Sequence, residues 1–522
     1  MPPPPPPPPP PPKPSAIPAG DNHPLAAQAV GTPGASMGIV TKPDAPGGVA
    51  APSNPPIHSP MPTNAAVAAT SPRVKVTPAA VSPARTLDSQ ADAFLSAPSY
   101  RTTQLGLEPV LRPLALPPGE GIQRVRTLVE RRAWGDVLKL SANVLHSSNP
   151  HADVYSSLLL LPTSAPRIDV ETLPLPMKLE TIEVMTLQCH ALLKLRRYAD
   201  LEKEVAKWNF LFQNDASAFS PDWLPWSIHI LGAQSLQYTG EFDHAADILQ
   251  DVQSRIPPEE ASSLASVNIA LANLYIRQEQ WRLAFGTLDR VTDLIPAATE
   301  MEVQSKYSTA PNQAALQSIL AAAYRCEVRF RQGKALLQIG ALPQVAELFE
   351  YAQKEWTAAN EGIPEELKSH PAVVLMFCQM EVNEGLFNFA QNKYERSLSS
   401  FSKGRDILRS QDLLTQKYNP DAYLGTGVLC FDAPNELYSE CVNNMALCNL
   451  YSCKMQDAVG QLEDLVRSDP SAFLTERVAF NLCTLYELGA DSAVSARRKR
   501  VLQLIAKRFF LHDIGPESFR VS

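Results

Sequence analysis

The stretch Leu264–Pro296, LASVNIALANLYIRQEQWRLAFGTLDRVTDLIP, decides how the rest of the chain is read. Its apolar residues recur at helical spacing twice, on either side of the polar break Arg277-Gln278-Glu279-Gln280. Small side chains stand at Ala272 and Ala284, larger ones at Tyr275, Trp281, Leu288 and Val291. Two antiparallel helices that cross closely need small residues at the crossing and bulk along the seam. Pro296 is expected to end the second helix, because it lacks an N–H donor and its ring blocks the preceding turn.

These spacings match the tetratricopeptide template of about 34 residues. The register recurs before it at Ala233, Gly240, Phe242, Ala245, Leu249, Val252 and Pro257, and near the C-terminus at Ala446, Met455, Ala458, Leu462, Leu465 and Pro470. Weaker copies run through Gly333, Leu336, Gly340, Phe349 and Ala352, and through Gly385, Tyr394, Phe401 and Gly404. Two degenerate copies come first, at Trp134, Val137 and Val144 and at Leu192, Tyr198, Val205 and Trp208. A half-repeat at Phe480, Leu482, Leu485 and Tyr486 leads into a basic helix. No run of alternating β-branched residues competes with the helical period.

The expected fold is therefore all-α, a tetratricopeptide-repeat (TPR) α-solenoid with repeats starting near residues 118, 182, 226, 265, 326, 378 and 439. Several intervals exceed the template, which places insertions near 146–180, 297–320 and 405–437. The last of these, with Pro420, Gly425, Gly427 and Pro434, reads as a long loop or an extra helix. Insertions in solenoids emerge on one face, so these three are candidate partner contacts.

Thirty of the 48 prolines lie in residues 1–120, and residues 1–100 carry only nine Asp, Glu, Lys or Arg side chains. Such a stretch has too little periodic apolar surface to offset its ordering entropy. The expected organisation is a disordered proline-rich tail over 1–118, the solenoid over 119–510 and a C-terminal tail over 511–522. Pro2–Pro12 is expected to form a polyproline II rod, and Ser59-Pro60, Ser71-Pro72, Thr77-Pro78 and Ser82-Pro83 are candidate phosphorylation sites. Removal of residues 1–110 is expected to leave thermal stability unchanged.

The 46 basic and 54 acidic residues give a net charge of −8, which excludes a protein that coats nucleic acid broadly. The longest apolar runs, Leu158–Leu161 and Ala372–Cys378, fall short of the ~20 residues a membrane helix requires. Eight cysteines without regular spacing read as reduced, buried thiols of a soluble intracellular protein.

Catalytic and ligand motifs are not found. The glycines at 31–38 and at 47–48 have no Lys-Ser/Thr after them, so no phosphate loop is read there. Cys441, Cys448 and Cys453 are seven and five residues apart, unlike the paired spacing of a zinc site. Cys189 and His190 are adjacent, so their side chains diverge on a helix and form no dyad. Glu259-Glu260 and Glu365-Glu366 each follow a proline at a helix start, where the helix dipole favours acids. No catalytic, cofactor-binding or metal-binding residue is assigned, and no enzyme is expected. The basic run Arg497-Arg498-Lys499-Arg500 reads as a solvated face of a terminal helix. Trp208, Trp223, Trp226 and Trp281 are read as core.

Beyond the generic repeat, Asn443-Asn444-Met445-Ala446-Leu447-Cys448 and Asp469-Pro470 are followed by Glu476-Arg477-Val478-Ala479-Phe480-Asn481-Leu482 and Thr484-Leu485-Tyr486-Glu487-Leu488. This segment resembles the C-terminal part of the subunit 12 family of the transport protein particle (TRAPP) tethering complex, in which a similar F-N-L-x-T-x-Y-E-L string precedes a basic helix. Leu128-Val129-Glu130-Arg131-Arg132-Ala133-Trp134 is similar to the start of that family's folded region.

The resemblance implies a non-catalytic subunit of a vesicle tether in endoplasmic-reticulum-to-Golgi transport and autophagy. It implies partners in a large helical-repeat subunit and the small-subunit core, and indirectly a Rab GTPase activated by other subunits. The implied location is cytoplasmic, peripheral at endoplasmic reticulum–Golgi and Golgi membranes, with neither nucleic-acid binding nor membrane insertion. The rival readings are a free-standing TPR peptide-binding adaptor and a nuclear or mitotic scaffold. The adaptor's carboxylate clamp is poorly served, because Ile269 and Ile230 stand at clamp positions and only Asn273 fits.

Overall fold

The computed structural model describes residues 87–97, 111–113, 121–147, 175–213, 225–310, 312–410, 413–415, 423 and 433–520. The polyproline segment, the Ser-Pro and Thr-Pro pairs, Trp223 and most of the 146–180 insertion lie outside the described residues. The helices are α1 (Leu87–Leu95), α2 (Ile122–Glu130), α3 (Trp134–Ser147), α4 (Leu175–Lys194), α5 (Tyr198–Gln213), α6 (Ser227–Thr239) and α7 (Phe242–Arg255). They continue as α8 (Ala261–Arg277), α9 (Trp281–Lys306), α10 (Gln313–Gln338), α11 (Leu342–Asn360), the single-turn α12 (Glu365–Lys368), α13 (Pro371–Ala390) and α14 (Tyr394–Ser410). The last are α15 (Pro434–Tyr451), α16 (Met455–Ser468), the single-turn α17 (Pro470–Phe473), α18 (Glu476–Gly489) and α19 (Ser492–Arg508). No strand occurs among the described residues. From α2 to α19 each long helix packs on the next in chain order, which is the solenoid.

Seven of the hairpins turn by the same backbone device. The residue beyond the first helix takes a left-handed conformation: Arg132, Arg196, Gly240, Glu279, Gly340, Asn392 and Cys453, with φ between 56° and 90°. The N–H of the residue after it reaches back to a carbonyl of the last helical turn, as from Glu241 to Leu236 (2.9 Å), Gln280 to Tyr275 (2.8 Å) and Lys454 to Asn449 (2.8 Å). These bonds satisfy carbonyls that a helix end would otherwise leave open. All seven turns fall fourteen residues after the repeat starts read from the sequence. Five of the seven residues are not glycine and bear a left-handed strain of roughly 1–2 kcal/mol each.

Counting from these turns exposes a second regularity. Seven residues before the turn, and sixteen residues further on, stand the pairs Val125/Ser141, Cys189/Val205, Ala233/Leu249, Ala272/Leu288, Gly333/Phe349, Gly385/Phe401 and Ala446/Leu462. As the first member grows from Gly to Val, the second shrinks from Phe to Ser. Where the first is glycine the contact is direct: a Cβ on Gly385 would lie 2.7 Å from Phe401 Cε1, and one on Gly333 would overlap the Cε1 edge of the Phe349 ring. Between the members of each pair, twelve residues after the first, come Val137, Leu201, Ala245, Ala284, Val345, Ser397 and Ala458, every one with 0% exposure. Tyr275 is buried as well, and its hydroxyl accepts from Gln250 Nε2 at 2.9 Å.

The array curves until its beginning meets its end. Arg132, in the first turn, donates to Asp513 Oδ2 at 2.7 Å and to the Leu474 carbonyl at 3.0 Å. Arg196, in the second turn, pairs with both Glu476 and Glu517. Tyr423, from the 405–437 insertion, also reaches the first two hairpins. Its ring lies edge-on to His190 at 5.2 Å, and its carbonyl is 3.2 Å from His190 Nε2.

Four expectations are corrected. Pro296 does not end its helix; α9 runs through it to Lys306. The next turn is stabilised by burial of Ala298, Thr299 and Val303, which offsets the missing N–H, and Thr299 Oγ1 donates to the Ile295 carbonyl at 2.8 Å. The 297–320 insertion is likewise mostly helix, absorbed into a lengthened α9 and α10 of 26 residues each. Residues 1–118 contain α1, whose Ala91 and Leu95 are fully buried in the core of the last repeats. Residues 511–520 are no tail: Leu511, Ile514 and Phe519 are buried, the last in a 3-10 turn, Pro516–Phe519, that begins with Pro516. By contrast Pro470 starts α17 at a position where its missing N–H costs nothing.

Two predictions follow from the hairpin geometry. Gly333→Ala is expected to lose about 1–3 kcal/mol by overpacking, with most of it recovered on adding Phe349→Leu. Urea denaturation of the single and double variants measures this, and strict additivity would refute the volume pairing. Glu279→Gly, at an exposed left-handed turn, is expected to raise the melting temperature, whereas Gly240→Val is expected to lower it.

Candidate protein-interaction surfaces

The residues with chemical potential are spent on packing. Cys326 and Cys378, equivalent in register, each donate a thiol to a carbonyl of the second helix, Ala352 and Gly404, at 3.3 Å. Burial pushes the thiol pKa up to about 12 at Cys326 and Cys483 and to about 11 at Cys448. A protonated thiol is neither nucleophile nor metal ligand. Cys441 is held above the thiol range by its hydrogen bond to Cys378 and by burial, while Cys453 is exposed in its turn. Among the described residues, no cluster of three His, Cys, Asp or Glu side chains is placed to hold a metal ion. The paired glutamates serve locally: Glu260 accepts from Trp226 Nε1 at 3.0 Å, and Glu365 pairs with Lys368. No helix among the described residues is long and apolar enough to cross a membrane.

The basic run is not a free solvated face. Arg498 lies 5.1 Å over the Tyr486 ring, Lys499 pairs with Glu487 and donates to the Arg520 carbonyl at 2.9 Å, and Arg497 donates to Gln90 at 3.1 Å. The strings that carry the family resemblance meet here. Asn481 Nδ2 donates to Asn443 Oδ1 at 2.9 Å, Tyr486 donates to Glu463 at 2.8 Å, and Glu487 joins Lys499 to Arg520. Their role in this chain is to lock α15, α16, α18 and α19 together.

Two exposed aromatic groups lie along the edge formed by the hairpin turns. Tyr198 and Tyr238, from successive repeats, stack at 5.2 Å with their planes 5° apart, and Arg277 of the next repeat caps Tyr238 at 5.2 Å. A second group joins Phe389, Tyr394 and Tyr451 with centroids 5.3–5.4 Å apart. Tyr238 and Tyr451 are 44% and 40% exposed, so each group presents a ring edge to solvent on a rigid base. Preorganised aromatic and Arg side chains are the residue types that dominate binding energy in protein interfaces. Sequence reading identified Tyr198 and Tyr394 only as repeat positions and missed Tyr238, Arg277 and Tyr451. The signal lay in register, since these three stand five residues after Ala233, Ala272 and Ala446. Of the clamp positions, Ile269 is packed against the core, and Asn273 is half-buried beside it.

His190 and His229 set a pH dependence. Burial lowers both to about 4, against the Tyr423 carbonyl at His190, and with Arg255 adding to the effect at His229. Between their ordinary value of 6.5 and about 4 the folded protein keeps both neutral while the unfolded chain binds protons. Stability is therefore full above pH 6.5 and falls as the pH drops toward 4, by up to about 1.4 kcal/mol per pH unit for each histidine. Urea midpoints at about pH 7 and about pH 5 are expected to fall less for the variant His190→Gln/His229→Gln than for the parent, and equal losses would contradict the assignment.

No known family profile matches the chain. It is 24% identical over 302 residues to Trafficking protein particle complex subunit 12 of Mus musculus, covering 55% of this chain and 31% of that protein. It is 42% identical over 77 residues to Trafficking protein particle complex subunit 12 of Homo sapiens, covering 15% of this chain and 10% of that protein. The chain spans less than a third of the length of these curated relatives. Among solved structures, a Rap protein complexed with competence and sporulation factor is 11% identical with a TM-score of 0.34, covering 74% of this chain and 92% of that one. The Cut9–Hcn1 hetero-tetramer of APC/C is 12% identical with a TM-score of 0.25, covering 74% and 68%. By these matches the chain is similar to subunit 12 of the trafficking protein particle complex.

Proposed function

We propose that the chain is a non-catalytic scaffold subunit of a TRAPP-type vesicle tether, serving endoplasmic-reticulum-to-Golgi transport and autophagy. In this reading it joins a large helical-repeat subunit to the small-subunit core, and Rab GTPase activation is carried by those other subunits. It works in the cytoplasm, peripheral to Golgi membranes, through the complex. The observation that carries the reading is the 302-residue match to subunit 12, together with a solenoid whose exposed anchors are aromatic stacks on its turn edge. The proposed contacts are Tyr238, Arg277 and Tyr451. Rings already stacked on a neighbour lose little rotamer freedom on binding, so they serve affinity at low entropic cost.

Tagged full-length chain recovered from native cytosol is expected to bring down small TRAPP core subunits and a large helical subunit, identified by mass spectrometry. The variant Tyr238→Ser/Tyr451→Ser, with an unchanged helical spectrum, is expected to recover less of at least one of them. Recovery of chaperones or nuclear proteins in place of any core subunit would overturn the tether reading.

A further inference from the structure

Helix α1 is only nine residues long, and an isolated helix of that length does not persist in water. It exists because it is docked. Ala91 and Leu95 are fully buried against the last repeats, and Phe94 packs beside them. The rim is charged: Arg508 donates to Asp92 Oδ1 at 2.8 Å and to Asp88 Oδ1 at 3.1 Å, while Arg467 donates to the Phe94 carbonyl at 2.9 Å with its guanidinium 4.7 Å over the Phe94 ring. Arg497 and Arg112 add bonds to Gln90 and Asp92.

The two central arginines differ in what holds them. Arg467 keeps Glu463 and Asp464 on its own helix. Arg508, with only 8% of its side chain exposed, has its carboxylate partners on α1 and further bonds to the carbonyls of Asp88 and Leu111. Release of α1 would thus uncover an apolar surface beside a guanidinium that has lost its carboxylates. Asp88, by contrast, is 73% exposed even when paired, so the ionic rim is open to screening by salt. The contact thus rests on two buried apolar anchors and on carboxylates that are open to solvent.

We propose that the surface between α16 and α19 is a docking site for an acidic amphipathic helix of a partner protein, with α1 as its displaceable occupant in cis. The ligand class follows from the occupant: two carboxylates four residues apart to meet Arg508, a small residue between them, and an aromatic-aliphatic pair to enter the apolar floor under Arg467. Helix-in-groove recognition of this kind reads anchors at helical spacing. Tethering raises the local concentration of α1, so it closes the site until a better ligand competes. This inference goes beyond the scaffold reading and stands whether or not the chain joins a tether.

The test uses the full chain and a labelled synthetic peptide of residues 86–98, followed by fluorescence anisotropy. The variant Ala91→Glu/Leu95→Glu, which undocks the resident helix, is expected to bind the peptide at least about tenfold tighter than the parent does. Adding Arg508→Glu to that variant is expected to remove at least about tenfold of the gain. Equal binding to parent and undocked chain, or none to either, overturns the proposal. If the undocked variant does not fold, hydrogen exchange on the unmodified chain decides: amides of residues 92–97 are expected to exchange at least about tenfold faster than those of α16 and α19. Equally slow exchange would mean a permanent buttress and sink the idea. Light scattering of the parent is expected to give a monomer. A dimer lost on undocking would mean that α1 is exchanged between copies, which also overturns the cis reading.

Discussion

Everything in this molecule rests on how closely two helices approach within each hairpin. Helix axes pack 8–10 Å apart according to the side chains at the contact, and interiors tolerate neither voids nor overlap. The seven pairs from Val125/Ser141 to Ala446/Leu462 solve one spatial problem with four chemistries. Summed volume is kept while the bulk moves from one helix to the other. The fully buried residue between the members of each pair is small or β-branched in six of the seven hairpins, Leu201 being the exception. Hairpins of common thickness are what allow the stack to continue from one repeat to the next. A single thick unit would throw the last repeat out of reach of the first.

That reach is used. Arg132 and Arg196 occupy the left-handed residue of the first two turns, where a side chain projects from the array's edge, and both find carboxylates on the last repeat. Their backbone strain is tied to the same residues that close the array. An arginine here binds a carboxylate and a carbonyl at once, through its planar fork of donors. A glycine would relieve the strain and lose the seam. The same logic explains why Tyr423 departs from the repeat pattern: it belongs to a segment that links the sixth and seventh hairpins yet touches the first two.

The hairpins built on Ala/Leu pairs were legible in the sequence because alanine at a fixed spacing from leucine is what the template describes. Gly333/Phe349 and Gly385/Phe401 were read more weakly, and Cys189/Val205 and Val125/Ser141 barely, since only the pair's volume is kept and neither identity matches. The left-handed conformation of the turns was invisible wherever Arg, Glu, Asn or Cys takes the place of glycine, because side-chain type then says nothing of φ. Pro296 misled for the opposite reason, local propensity being overridden by burial on its far side. Helix α1 escaped because its two buried side chains sit in a segment whose composition reads as linker. The exposed Tyr238 and Tyr451 escaped because aromatic residues at helical spacing are usually core.

The last repeat is where these constraints accumulate. Asn443 and Asn481 bond each other in the interior, Tyr486 is fixed between Glu463 and Arg498, and Glu487 is shared by Lys499 and Arg520. A residue with one packing neighbour accepts many substitutes. A residue that must satisfy a buried amide, an ion pair and a ring contact together accepts few, because an unpaired partner left behind costs more than the bond was worth. The strings that carry the family resemblance coincide with this knot, which also receives Arg132, Arg196 and α1. The knot gives those strings a structural role within this chain, the closing of the solenoid. Side chains bound into the knot are spent on closure, so the aromatic surface that stays open is that of the stacked tyrosines on the turn edge.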